Sequence, residues 1–210
     1  MIPKKIHIIW IGDESKRPNE CILSWVEKNP EWEVKLWGND ELAEYPWTNS
    51  KHMIEMANRG ELCGVADLMR LEILYHEGGF YVDADSFCMK PLETWLFYCN
   101  IFACWENEIV MPGLIANTYI AAEVNNDLLG QMVLDLKNMS ELPRQPAWII
   151  VGPKFLTDSY HKYKYNKMVI WPSHLFLPTH HSGAKYDGNS TNIFARHEWG
   201  TTHNTYGDLP

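Results

Sequence analysis

Asp83-Ala84-Asp85 directly follows Phe80-Tyr81-Val82. The apolar tripeptide is aromatic and β-branched and reads as a short buried strand. Residues i and i+2 leaving a strand point the same way, so the two carboxylates can converge on one hard cation such as Mg²⁺ or Mn²⁺. Two carboxylates leave most of the coordination sphere open, which suits a cation shared with substrate phosphates. A D-x-D tripeptide alone is more often a solvated acidic turn, so its neighbours decide. Upstream, residues 61–77 carry Val65, Leu68, Met69, Leu71, Ile73 and Leu74 at helical spacing. At about 100° per residue, Leu71 and Leu74 fall within about 40° of Asp67 around the axis. A carboxylate in an apolar stripe is costly unless paired. Asp67 is therefore expected either in a buried ion pair with Arg70, one turn on, or presented with Arg70 to a polar ligand beside the cation. Gly78-Gly79 reads as the cap of this helix, because the G-x-x-x-x-G-K-[ST] context of a phosphate-cradling loop is missing.

The elements around this segment alternate. Ile6-His7-Ile8-Ile9-Trp10 reads as a buried strand, residues 19–29 as a helix and 32–37 as a second strand. Strand, helix, strand is the opening of an α/β fold. Short helices are expected over 40–45 and 50–59, strands over 101–105, 115–122 and 168–171, and helices over 127–139 and 154–163. Residues 178–192 are rich in His, Gly, Ser and Asn and read as a mobile loop. His180-His181 lies there without a partner at ligand spacing, so no metal is assigned to it. His7, Trp32 and Trp37 read as structural. With no repeat or linker, residues 1–210 are expected to form a single domain, complete or excised from a longer chain.

Composition narrows the class. The 210 residues are 46% hydrophobic and 21% charged, enough for a sizeable core. With 18 Lys+Arg against 27 Asp+Glu the net charge is −9, which excludes a protein that coats nucleic acid. One anionic small molecule held through a metal or a local cluster of cations is still compatible. Aromatics reach 13%, with ten Trp, suited to stacking on bases and sugars, although most are expected in the core. The five cysteines are odd in number and include no C-x-x-C pair, against a disulfide framework or zinc ribbon. No apolar run approaches the roughly 18 residues that span a bilayer, and the N-terminus has no signal-peptide pattern. A soluble protein of the reducing cytoplasm, with no membrane span and no anchor, is expected.

The run ADLMRLEILYHEGGFYVDADSFCMKPL, residues 66–92, resembles the signature of DxD glycosyltransferases of the sugar-binding-region type, which include fungal mannosyltransferases and the glucosylating domains of large clostridial toxins. IPKKIHIIWIG and SWVEKNPEWEVKLW upstream, and ARHEWGTTH at 195–203, are similar to other blocks of that family and stand in the same order. The resemblance implies a GT-A-like nucleotide-binding α/β/α sandwich with a mixed central sheet. It implies a metal-dependent enzyme (Mn²⁺, or Mg²⁺) that moves a sugar from a nucleotide-sugar donor to a glycan or other hydroxyl acceptor with retention. A UDP-hexose such as UDP-glucose is expected as donor ahead of GDP-mannose. Carried over residue by residue, Asp85 binds the metal, Asp83 lies near metal, ribose and sugar, and His197 completes the metal site or donates to the diphosphate. Asp67 is expected on sugar hydroxyls and Arg70 near sugar and phosphate. These four charged residues, Asp67, Arg70, Asp83 and Asp85, form the expected catalytic set. Trp10 stacks on or borders the base and Tyr81 lines the nucleoside pocket, with Ile9 and Ala84 in the same substrate-binding group. Asn117 is expected on the sugar, Gly152 in a Gly-Pro turn on the acceptor side, and Trp199 and Thr201 near the diphosphate. Thr201 stands where the family has Ser, and the Trp that follows that Ser in the family is absent here.

The chemistry fits these residue types. Negative charge grows on the diphosphate as it leaves the anomeric carbon, and cationic groups placed there stabilise it. Retention requires a nucleophile or a same-face return. Asp67 and Glu198 are polar residues of the right type, and nothing in the sequence places either below the anomeric carbon. Two other classes compete. A haloacid-dehalogenase-like phosphatase or phosphotransferase also uses D-x-D after a strand, but its motif lies near the N-terminus and needs a later acidic pair. A non-catalytic sugar-binding module would keep the aromatics without needing the carboxylates and Arg70.

Overall fold

The structure is a computed structural model that describes residues 1–186, 188, 191–206 and 209. Asp187, Asn189 and Ser190 of the expected 178–192 loop lie outside the described residues, as do Gly207, Asp208 and Pro210 of the tail. The chain runs β1 (Lys5–Ile9), α1 (Asn19–Lys28), β2 (Glu33–Trp37), α2 (Asn39–Glu44), α3 (Ser50–Asn58), α4 (Leu62–Glu77), β3 (Gly79–Asp83) and β4 (Ser86–Cys88). It continues through β5 (Ile101–Asn107), β6 (Met111–Ala122), α5 (Asp127–Lys137), α6 (Ala147–Ile150), α7 (Pro153–Lys162), β7 (Val169–Trp171), β8 (Ala195–His197) and α8 (Gly200–His203). Among the described residues, no helix is long and apolar enough to cross a membrane.

Six strands form one mixed sheet in the order β2-β1-β3-β6-β5-β7. β1 is parallel to β2 and β3, β6 is antiparallel to both β3 and β5, and β5 is parallel to β7. All strands but β6 therefore end at one edge. In open α/β sheets that carboxyl edge is where ligands bind.

Both faces of the sheet are covered, which is why its strands read as near-continuous apolar runs. His7 and Ile9 alternate with Ile6 and Ile8 along β1, and Tyr81 alternates with Phe80 and Val82 along β3. Ile9 and Tyr81 pack with Leu68, Leu71 and Met132 under α4 and α5. Ile6, Ile8, Phe80 and Val82 pack on the other face with Trp25, Tyr119 and Phe176. His7 is structural, as expected. Its Nδ1 accepts from Trp37 Nε1 at 3.2 Å, its Nε2 donates to the Gly78 carbonyl at 2.8 Å, and burial lowers its pKa to about 4.

The join between α4 and β3 aims the D-x-D segment. Gly78 has φ +62° and Gly79 has φ +99°. A Cβ on Gly79 would stand 2.7 Å from the Lys5 carbonyl and 3.0 Å from His7 Nε2, so only glycine lets β3 lie this close to β1. Four short elements escape the periodicity reading: β4, α6, β8 and α8 have three or four residues each. β4 is held from below. Trp25 Nε1 donates to the Ser86 carbonyl at 2.8 Å, and the Cys88 N–H donates to Ser24 Oγ at 2.8 Å. β4 then pairs antiparallel with β8, putting Ser86 opposite His197.

Candidate active site

Asp83 is the last residue of β3, opposite Ile9, and Ala84-Asp85 turns the chain into β4. The carboxylates therefore converge through a turn rather than along a continuing strand. The β4–β8 pairing brings His197 between them. Its Nε2 is 3.3 Å from Asp83 Oδ2 and 3.3 Å from Asp85 Oδ1. Asp85, only 3% exposed, also accepts the Gly200 N–H on Oδ2 at 2.7 Å, and its carbonyl accepts the Glu198 N–H at 3.0 Å. Residues 197–200 thus fold directly over the D-x-D turn. Trp199 takes the left-handed conformation at φ +56°, a strained corner for an aromatic residue.

The Trp199 N–H donates to His197 Nδ1 at 3.1 Å. In the neutral ring the proton then sits on Nε2, facing the two carboxylates. Burial opposes charge on this ring, but Asp85 and Asp83 outweigh it and push the His197 pKa up to about 10. Burial likewise opposes the Asp83 carboxylate, and Arg70 with His197 holds it well below the usual range.

Behind Asp83 lies a buried polar network built by α4, β3 and β6. Arg70 donates from Nη2 to Asp83 Oδ1 at 2.8 Å and to the Tyr81 hydroxyl at 3.1 Å, and from Nη1 to the Asn117 carbonyl at 2.5 Å. Its guanidinium stacks over the Tyr81 ring, 4.2 Å from the centroid. Tyr81 in turn donates to Asp83 Oδ1 at 2.7 Å. Asp67 Oδ1 lies 3.2 Å from Arg70 Nη2 and accepts from Asn117 Nδ2 at 2.7 Å. Arg70 thus joins Asp67 to Asp83 rather than serving Asp67 alone. Burial pushes the Asp67 pKa up to about 6 against the pull of Arg70. Arg70 Nε has no hydrogen-bond partner among the described residues.

The other expected residues border this centre unevenly. Trp10 follows β1, is partly exposed, and meets Tyr206 edge-on at 4.9 Å. Ile9 and Ala84 are packed in the two cores, 4% and 6% exposed. Gly152 caps α7 against the network: a Cβ there would stand 3.0 Å from Asp67 Oδ2. Trp199 donates from Nε1 to the Thr179 carbonyl at 3.0 Å, and Thr201 Oγ1 is 2.8 Å from the Tyr206 hydroxyl. Glu198 turns away to Arg196, at 2.6 Å. Sequence reading missed Tyr206, since one aromatic in a polar tail carries no periodic signal. It also left His180-His181 without a partner. That reading is corrected: the end of β5 brings Glu106 Oε1 to 3.5 Å from His180 Nε2.

Asp83, Asp85 and His197 each present one ligand atom, all within 4.8 Å of one another. Two carboxylates and an imidazole suit Mn²⁺, and Mg²⁺ through the oxygens. These residues could hold such a cation.

Residues 15–101 match the family described as glycosyltransferase sugar-binding region containing DXD motif. The chain carries this glycosyltransferase region on a GT-A fold. It is 30% identical to the subversion of eukaryotic traffic protein A of Legionella pneumophila, over 62% of this chain and 24% of that protein. It is 25% identical to inositol phosphoceramide mannosyltransferase 3 of Schizosaccharomyces pombe, over 90% of this chain and 55% of that protein. The chain therefore spans a quarter to about half the length of these curated relatives. Among solved structures, the PaToxG glycosyltransferase superposes with a TM-score of 0.59 at 17% identity, covering 77% of this chain and 70% of the other. The UDP-bound glycosyltransferase domain from the YGT toxin gives 0.56 at 9% identity, covering 80% and 79%.

Proposed function

We propose that this chain transfers a hexose from a UDP-sugar to a glycan or other hydroxyl acceptor, with retention and with Mn²⁺, or Mg²⁺, in the Asp83-Asp85-His197 cluster. The observation that carries the reading is the convergence of those three side chains at the carboxyl edge of a glycosyltransferase sheet, with an Arg-centred network directly behind them. When bound, the cation supplies positive charge for the departing diphosphate. The chain's own residues do the rest. Arg70 and Tyr81 fix the Asp83 carboxylate from behind. Asp67 and Asn117, hydrogen-bonded to one another, are the groups assigned to sugar hydroxyls, and Gly152 packs closely against Asp67. Trp10 offers a partly exposed ring to the base. Residues 197–201 cover the diphosphate side and limit water there.

A UDP donor is favoured because a neighbour of the same fold is UDP-bound, while the mannosyltransferase relative keeps GDP-mannose as the competitor. Retention rests on the family resemblance. Of the candidate nucleophiles, Asp67 belongs to the central network and Glu198 is paired with Arg196. A thermal-shift panel of UDP, UDP-glucose, GDP and GDP-mannose, each with and without Mn²⁺, tests the reading. It expects a shift with UDP and UDP-glucose only when Mn²⁺ is present, followed by donor hydrolysis. A shift with the GDP ligands alone would reassign the donor. Binding without any turnover of donor would favour a sugar-binding module.

A further inference from the structure

A second cluster lies at the same edge of the sheet, outside the D-x-D centre. Glu106 sits near the end of β5, and His180-His181 sits in the turn that follows Thr179. One ligand atom from each of Glu106, His180 and His181 lies within 4.8 Å of the others. The turn is closed by its own backbone: the Tyr186 N–H donates to the Pro178 carbonyl at 2.9 Å, and the His180 N–H to the Ala184 carbonyl at 2.8 Å. His180 is 3% exposed, and its Nε2 has no hydrogen-bond partner among the described residues although it lies 3.5 Å from Glu106 Oε1. A buried imidazole nitrogen left without a hydrogen bond and aimed at a carboxylate calls for an explanation.

We propose that Glu106, His180 and His181 form a second metal site, with a two-nitrogen, one-oxygen donor set that takes Zn²⁺ in preference to Mn²⁺ or Mg²⁺. Imidazole-rich sets suit Zn²⁺, whereas the carboxylate-rich cluster around Asp83 and Asp85 suits harder ions. Tetrahedral donors about 2.1 Å from zinc lie about 3.4 Å apart, so side-chain shifts of about an ångström complete the site. His181 is exposed, which leaves the fourth position open to water. Burial raises the Glu106 pKa and lowers those of His180 and His181, so both rings favour the neutral form that a metal requires. His180 Nδ1 now accepts the Ser182 N–H at 3.2 Å, with Ser182 Oγ 2.8 Å away. Metal on Nε2 moves the ring proton to Nδ1. Ser182 Oγ accepts it there, and the longer backbone contact is given up.

The position of the cluster gives the ion a task. The rings of His180 and His181 pack edge-on against Trp199 at 5.4 and 5.2 Å, and Trp199 is tied to Thr179 through its indole. Trp199 immediately precedes Gly200, whose N–H holds Asp85. An ion at Glu106, His180 and His181 would pin the 178–186 turn to β5 and brace Trp199 against the D-x-D centre.

The test is calorimetry on the full chain, stripped of metal with a chelator and titrated with Zn²⁺ alone. The wild type is expected to bind two equivalents, because zinc also enters the D-x-D cluster, and the Asp83→Asn, Asp85→Asn double variant to keep one. Glu106→Gln or His181→Ala in that background should weaken the remaining equivalent at least tenfold. Glu106→Gln is isosteric and His181 is exposed, so folding should survive, with circular dichroism as the check. In the wild-type background the same single changes should weaken one of the two equivalents at least tenfold and leave the other unchanged, which does not rely on the double variant folding. Loss of all Zn²⁺ binding in a folded double variant, or binding untouched by Glu106→Gln and His181→Ala, would overturn the site. Neither outcome bears on donor binding, so this inference and the proposed transferase activity fail separately.

Discussion

Asp85 accepts the Gly200 N–H on one oxygen and faces His197 with the other, so its charge and its shape can be separated. Asp85→Asn keeps an acceptor for Gly200 and removes the charge. Melting temperature should move by only a few degrees, while metal-dependent transfer and donor hydrolysis fall at least about 100-fold. Near-normal turnover would refute the metal assignment. Asp67 allows a test by pH. Its carboxyl is raised from the ordinary 3.8 to about 6 by burial, with Arg70 opposing. A carboxyl whose native pKa exceeds its unfolded value binds its proton more tightly when folded. Its contribution to stability is fully present below about 3.8 and is lost as pH rises through about 6. Asp67→Asn cannot ionise and escapes that loss. Its melting temperature relative to wild type should therefore climb between pH 4 and pH 7, by an amount worth up to about 3 kcal/mol, even as activity drops. A relative melting temperature that falls over the same range would mean that the ionised Asp67–Arg70 pair is a net source of stability. At this scale the sequence was legible where the partners are close in the chain: Asp67, Arg70, Tyr81, Asp83 and Asp85 all fall within one helix, the strand after it and the turn that ends that strand. Periodicity put Asp67 in an apolar stripe, but not Arg70 between two carboxylates. Glu106 and Tyr206 were illegible because their partners come from distant segments.

The element that aims the site is the α4–β3 junction. Gly79 combines φ +99° with a would-be Cβ only 2.7 Å from the Lys5 carbonyl, so steric overlap adds to backbone strain. Gly113, in β6, has φ +81° with nothing within 4 Å and isolates the strain alone. Gly79→Ala should cost about 2–4 kcal/mol and Gly113→Ala about 1 kcal/mol, measured by denaturant unfolding. Equal costs would mean that β1 yields freely to β3, and the close approach would then not determine where Asp83 points. The long elements were legible from periodicity because both faces of the sheet are packed, so the inward side chains of β1 and β3 are apolar except His7, which is hydrogen-bonded on both ring nitrogens. β4, α6, β8 and α8 were not, since three or four residues hold barely more than one period of pattern, too little to repeat. β4 and β8 exist through hydrogen bonds to each other and to α1, which no local reading contains.

At the scale of the whole molecule, the proposed function asks a chain of net charge −9 to bind an anionic diphosphate. Arg70 is already committed to Asp67 and Asp83, and His197 to Asp83 and Asp85, so in the proposed reading the divalent cation carries most of the attraction. Nucleotide without metal should therefore bind weakly, and hydrogen exchange can show which parts of the tail respond when both are present. Sequence reading treated 178–192 as a mobile loop too polar to pack by itself. Within the described residues, however, β8 is paired with β4: Cys88 faces Ala195, the Met89 N–H reaches the Phe194 carbonyl at 2.8 Å, and the Phe194 N–H reaches the Leu175 carbonyl at 2.7 Å. Residues 194–197 are thus held by main-chain hydrogen bonds of the chain itself. Beyond them the hold is lighter, a single turn of helix at Gly200–His203 and the edge-on contact of Tyr206 with Trp10. A base stacking on Trp10 must share or displace that contact. Amides of residues 194–197 are expected to exchange equally slowly in the free and UDP–Mn²⁺ forms, and those of 200–206 to slow at least tenfold only when metal and UDP are both present. Protection of 194–197 that appears only with ligand would mean that β8 assembles on binding. Unchanged exchange across 200–206 would remove Thr201 and Tyr206 from the donor site and leave Asp83, Asp85 and His197 to hold the diphosphate without cover.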